Sequence, residues 1–119
     1  GLGDVYKRQT YGRTELPVVE AKPKDSYQRI ALIGGSGTQP EYIQAAAQSQ
    51  ADVFLTGDIS YHRAQLCYQE DMMTVDVGHY VESIFKEKMP AFLTQLAQDQ
   101  GFDYQVIPSQ ASTNPFRYE

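Results

Sequence analysis

His79 and Glu82 stand three residues apart, just after the apolar stretch Met72-Met73-Thr74-Val75-Asp76-Val77 and a stop at Gly78. On a helix opening at His79, both side chains project from one face. An imidazole nitrogen paired with a carboxylate oxygen suits zinc, manganese or iron. The same two residues also suit a plainer role, with His79 capping the helix and Glu82 favouring the positive end of its dipole. Two ligands do not close a metal site, and the chain holds only 2 His, the other being His62.

Asp58 and His62 lie four residues apart at a second strand–helix junction, Thr56-Gly57-Asp58-Ile59-Ser60-Tyr61-His62. Asp58 is read either as the cap of the following helix or as a carboxylate that serves the site. His62 is either a proton carrier and outer hydrogen-bond partner or an exposed histidine on a helix surface. Asp76 either orients His79 or bonds the backbone of its own turn. Gly34-Gly35-Ser36-Gly37 is either a phosphate cradle of backbone N–H groups or simply a sharp turn. It lacks the Lys-Ser/Thr ending of a Walker loop and the spacing of the dinucleotide fingerprint. Cys67, beside Leu66 on an inner helix face, reads as buried packing.

These residues need strands and helices to position them, and the apolar pattern supplies both. Arg29-Ile30-Ala31-Leu32-Ile33 reads as a buried strand, followed by a helix from Gln39 to Ser49 with Pro40 in its first turn. Asp52-Val53-Phe54-Leu55 is the next strand, with a helix after it carrying Tyr61, Ala64, Leu66 and Tyr68. Residues 72–77 form a third strand. The longest helix is expected over His79–Asp99, with Val81, Ile84, Phe85, Met89, Phe92, Leu93 and Leu96 facing inward and Pro90 bending or dividing it. Gly101 stops it, and Tyr104-Gln105-Val106-Ile107 is expected to be a closing strand. Strand–helix alternation predicts an α/β layered fold on a largely parallel sheet. In such sheets ligands bind beyond the carboxyl ends of the strands, which gathers the three candidate loops on one rim.

The chain has 119 residues, room for one domain, with residues 28–119 as the α/β unit. Residues 10–27, with Pro17 and Pro23, read as a linker or the end of a preceding domain. Gly1-Leu2-Gly3-Asp4-Val5-Tyr6-Lys7-Arg8-Gln9 reads as adapter read-through or a disordered arm and is set aside. A net charge of −5 argues against nucleic-acid binding, which rests on clustered cations. No apolar run approaches the roughly 18 residues a membrane span requires. The single Cys excludes an internal disulfide and a cysteine-based zinc site. The expectation is a soluble, cytoplasmic protein.

Ile30-Ala31-Leu32-Ile33-Gly34-Gly35-Ser36-Gly37, the segment Ala51 to His62, and Val75-Asp76-Val77-Gly78-His79-Tyr80-Val81-Glu82 together resemble the GTP cyclohydrolase 1 type 2 homologue family. Its members are also called NIF-three-like dinuclear metal proteins. The ending Val106-Ile107-Pro108-Ser109 through Thr113-Asn114-Pro115-Phe116 is similar to the family's C-terminus. The resemblance implies that this chain is the C-terminal lobe of a two-lobed α/β protein. It also implies a toroidal homohexamer with two divalent metal ions per subunit, of zinc, manganese or iron. In the family a His-His pair and an Asp come from the N-terminal lobe, and a His and a Glu from the C-terminal lobe. The matching residues here are His79 and Glu82; in some relatives the Glu lies one position later, which is Ser83 in this chain. No His-His pair occurs in the sequence, so the chain carries at most half of such a site.

Three functions follow as expectations. The first is part of a metal-dependent hydrolase acting on a small phosphate or purine ligand, with His79 and Glu82 as ligands and Asp58 and His62 assisting. The second is a non-catalytic assembly or regulatory protein with structural metals. The third is a nucleotide-binding module using Gly34 to Gly37.

Overall fold

A computed structural model describes residues 15–117. The element order is β1 (Val18–Val19), β2 (Ile30–Ser36), α1 (Pro40–Gln48), β3 (Val53–Gly57), α2 (Tyr61–Tyr68), β4 (Met73–Asp76), a 3-10 helix (His79–Ile84) and α3 (Phe85–Gln100). The strands form one sheet in the order β1-β4-β3-β2. β2, β3 and β4 are parallel, and β1 runs antiparallel to β4. The expected α/β layering is therefore present. The chain divides into two compact units, Gly1–Val81 and Glu82–Glu119.

In the first unit the strands are apolar runs that stop at small residues. Pro40 opens α1, where its missing N–H has no helical acceptor to lose. Ser60 caps α2 by accepting a hydrogen bond from Arg63 N at 3.4 Å. Of the two readings of Asp58, this corrects the capping one, since the Ser60 hydroxyl lies two residues closer to the amides that need it. On one sheet face Phe54 packs with Ile43 and Ala46 of α1 and Cys67 of α2. On the other, Val53, Leu55, Val75 and Val77 cluster with Leu16 and Val81. Burying side chains such as Phe54, Ile43 and Val75 stabilises the fold by about 1.5–3 kcal/mol each. Burial also pushes the Cys67 thiol upward in pKa, away from the thiolate that reactivity requires.

Five features depart from the sequence reading. Val18–Val19, inside the expected linker, pairs with β4 through Val18↔Val75 and Val19↔Thr74. The helix opening at His79 begins as a 3-10 segment and becomes α-helical only at Phe85. α3 then runs unbroken through Pro90 to Gly101, whose left-handed backbone closes it. Tyr104–Ile107 is not a strand among the described residues; instead Tyr104 OH donates to Leu93 O at 3.1 Å, and Lys86 Nζ donates to Ala111 O. The expected inner face of α3 is also exposed in places, with Phe85 at 62% and Phe92 at 61%. Helical spacing marks an apolar stripe without supplying the surface that covers it. The read-through expectation for Gly1–Gln9 falls outside the described residues. No described helix is long and apolar enough to cross a membrane.

Asp52 anchors the amino ends of the strands. Its carboxylate accepts from Gln28 N and Arg29 N, both at 2.9 Å, and from Lys24 Nζ at 3.2 Å. The Arg29 and Gln28 amides, with Lys24, lower its pKa from 3.8 to about 2. A folded-state value below the unfolded one gives stability that is present above the unfolded pKa and lost as pH falls through about 2. Asp52→Asn should therefore melt lower than wild type at neutral pH. Its melting temperature should also fall less steeply between about pH 4 and pH 2. Parallel melting curves for the two proteins across that window would contradict this.

Candidate functional site

The parallel register sets the rim. Thr56 pairs with Asp76, so the turns that follow β3 and β4 leave the sheet level with one another. The first turn presents Asp58 and the second presents His79. They meet, with His79 Nδ1 2.7 Å from Asp58 Oδ2. A carboxylate only accepts, so in the neutral ring Nδ1 carries the proton and Nε2 is the nitrogen suited to a metal. The side chains are 57% and 55% exposed, so the pair contributes at most about 1 kcal/mol to stability. Its consequence is geometric, because it selects a tautomer and a ring direction. Asp58 holds φ at +53°, a left-handed backbone that aspartate tolerates better than most residues.

Two neighbours shape these turns. Asp76 accepts from Ile59 N through Oδ2 at 3.0 Å and from Gly78 N through Oδ1 at 2.8 Å. Of the two sequence alternatives for Asp76, the turn-bonding one describes its direct contacts; the carboxylate on the His79 ring is that of Asp58. Gly57 ends β3 where a Cβ would lie 2.8 Å from the carbonyl carbon and oxygen of Gly78 and 3.1 Å from His79 N. Sequence reasoning missed this role for Gly57, which shows only in the packing of one turn on the other. It missed Ser60 as well, although a serine three residues before Arg63 at a strand–helix junction is a readable cap signal.

Glu82 follows His79 three residues later in the sequence, within the 3-10 segment His79–Ile84. His62 is exposed in the first turn of α2, where its ring meets that of Tyr61 edge-on at 5.6 Å. Among the described residues no hydrogen bond joins it to Asp58 or His79. The same residues contain no group of three or more His, Cys, Asp or Glu able to hold a metal ion. An imidazole with a carboxylate on its other ring nitrogen, as His79 has in Asp58, has the chemistry of a metal-binding histidine.

The glycine loop is packed against β3. Gly37 N donates to Thr56 Oγ1 at 2.8 Å, and that buried hydroxyl donates to Gly35 O at 3.0 Å. A Cβ on Gly37 would lie 2.6 Å from both Ile33 Cγ2 and Thr56 Oγ1. The loop's small residues thus answer a packing need, and one of its amides is already committed.

Comparison with known proteins finds relatives in sequence and in structure. Over 90 residues the chain is 49% identical to the GTP cyclohydrolase 1 type 2 homolog of Streptococcus pneumoniae, covering 76% of this chain and 33% of that protein. It is 37% identical over 90 residues to the protein of the same name from Bacillus subtilis, covering 76% of this chain and 24% of that one. The chain thus spans a quarter to a third of the length of these relatives. A crystal structure of a Bacillus cereus protein related to NIF3 superposes with a TM-score of 0.80 at 28% identity, over 98% of this chain and 32% of that one. A hypothetical protein of Staphylococcus aureus gives 0.80 at 31% identity, over 94% and 36%. Residues 6–115 match the profile of Duf34/NIF3 (NGG1p interacting factor 3), and the chain belongs to that family.

Proposed function

We propose that this chain carries one side of a dinuclear metal centre in a longer, cytoplasmic, metal-dependent hydrolase. His79 binds through Nε2 and Glu82 through its carboxylate. The observation that supports this reading is the 2.7 Å contact between His79 Nδ1 and Asp58 Oδ2. Metal-binding histidines commonly donate their other ring N–H to a carboxylate, which fixes the tautomer and raises ligand basicity. By the family resemblance, a His-His pair and an Asp of the other lobe complete the ligand set, and the subunits assemble as a homohexamer. The names of the relatives support the family.

When bound, a pair of divalent cations would activate water near neutral pH and polarise a phosphoryl or carbonyl oxygen. Asp58 holds the His79 ring in place for that work. His62, on the solvent side of α2, is assigned to proton exchange with water rather than to ligation. The substrate class is a small phosphate or purine compound.

The test uses the full-length protein, stripped with a chelator and reloaded with zinc, manganese or iron. Reloaded protein should hydrolyse GTP or a simple phosphate ester, and stripped protein should not. Glu82→Gln should lose more than the roughly 10–100-fold typical of an outer-shell change. Protein that takes up metal yet turns over neither substrate would overturn the hydrolase reading in favour of a metal-stabilised assembly protein. Unchanged metal content in Glu82→Gln would overturn its assignment as a ligand.

A further inference from the structure

We infer that Asp76 is a positioning residue for His79, acting through the two turns its carboxylate ties together. One oxygen bonds the amide of Ile59, the residue after Asp58; the other bonds the amide of Gly78, the residue before His79. A single side chain is therefore fastened to the immediate chain neighbours of both members of the His79–Asp58 pair. The pair is more than half exposed and too weak to organise its own turns. Asp58 sits at φ +53°, so local backbone preference does not hold its turn either. Asp76 is partly buried at the end of β4, anchored by its pairing with Thr56 and by the Val77 N to Thr56 O bond at 2.8 Å. It can transmit the rigidity of the sheet to the rim.

Asp52 provides an internal control. It too accepts two backbone N–H groups, from Gln28 and Arg29, but it lies at the opposite ends of the strands. Loss of either carboxylate removes two amide bonds, and only loss of Asp76 should disturb His79.

The experiment uses metal-free full-length protein with 15N-labelled histidine, and long-range proton–nitrogen spectra that report the tautomer of each ring. The His79 signals are assigned from a His79→Gln spectrum. In wild type at alkaline pH, His79 should be protonated on Nδ1. Asp76→Ala and the milder Asp76→Asn should move it toward the Nε2–H form, with His62 unchanged. Asp52→Asn should lower the melting temperature and leave the His79 tautomer as in wild type. If Asp76→Ala fails to fold, Asp76→Asn carries the test, since its amide oxygen keeps one of the two bonds.

Retention of the Nδ1–H form in Asp76→Asn, while Asp58→Asn loses it, would overturn the inference. An equal shift in Asp52→Asn would overturn it as well. A second arm, cobalt binding, rests on the proposed ligation by His79, and there Asp76→Asn should weaken affinity about ten-fold. A shifted tautomer with unaltered cobalt affinity would uphold the positioning role and overturn the ligation reading.

Discussion

With the proposed dinuclear centre, replacing His79 by alanine in the full-length protein should reduce bound metal from about two ions per subunit to about one or fewer. The substitution removes a donor atom outright; the second histidine, His62, is on α2 and makes no hydrogen bond to the Asp58 carboxylate among the described residues. Loss of the half-exposed His79–Asp58 pair accounts for at most about 1 kcal/mol of any change in the stability of the stripped protein. Asp58→Asn provides a graded companion. Asparagine also tolerates the left-handed backbone at this position, so the change tests the carboxylate rather than the turn. It should keep the ligand and weaken metal affinity by roughly 10–100-fold. Elemental analysis after dialysis measures the first effect and a competition titration the second. A His79→Ala protein with full metal content would remove His79 from the ligand set.

Gly57→Ala should damage both stability and the site, although residue 57 carries no functional group. The added Cβ would sit 2.8 Å from the carbonyl carbon and oxygen of Gly78 and 3.1 Å from His79 N. These are backbone atoms of the facing turn, so no side-chain rotation relieves the crowding. The turn must move, and His79 moves with it. Overpacking of this kind costs about 1–3 kcal/mol. The distinguishing expectation is a joint loss, with a lower melting temperature and weaker metal binding in the same variant. Gly57→Ala protein that melts lower but binds metal as wild type would show that the displacement spares His79.

The strands β2, β3 and β4 and the helices α1 and α2 were legible because each is an apolar run or stripe bounded by Gly, Pro or a capping residue. That punctuation is local, and so is the chemistry it reflects. Val18–Val19 was not legible, since two residues carry no periodicity and their strand character comes from pairing with Val75 and Thr74. Tyr104-Gln105-Val106-Ile107 failed for the converse reason. Its residue types suit a strand, but strand formation requires an edge to pair with, and the described structure uses Tyr104 to bond Leu93 O instead. The apolar stripe of α3 was correctly spaced, yet Phe85 and Phe92 remain exposed because spacing does not provide a covering surface.

At the rim, the residues were legible and their partners were not. His79, Asp58 and Asp76 were all singled out by type and by position at strand ends. Which aspartate reaches the imidazole depends on the Thr56↔Asp76 register, a long-range fact that sets Asp58 against His79 and turns Asp76 back onto the Ile59 and Gly78 amides. Gly57 was read as a strand end, and its close approach to Gly78 exists only once the two turns stand side by side.

The most direct measurement is to locate the metal in crystals of the metal-loaded full-length protein by anomalous scattering at the absorption edge of the ion. A peak is expected about 2.0–2.2 Å from His79 Nε2 and from a carboxylate oxygen of Glu82, with Asp58 still on Nδ1. A metal peak with His79 outside bonding distance, or bound through Nδ1 with Asp58 displaced, would contradict it.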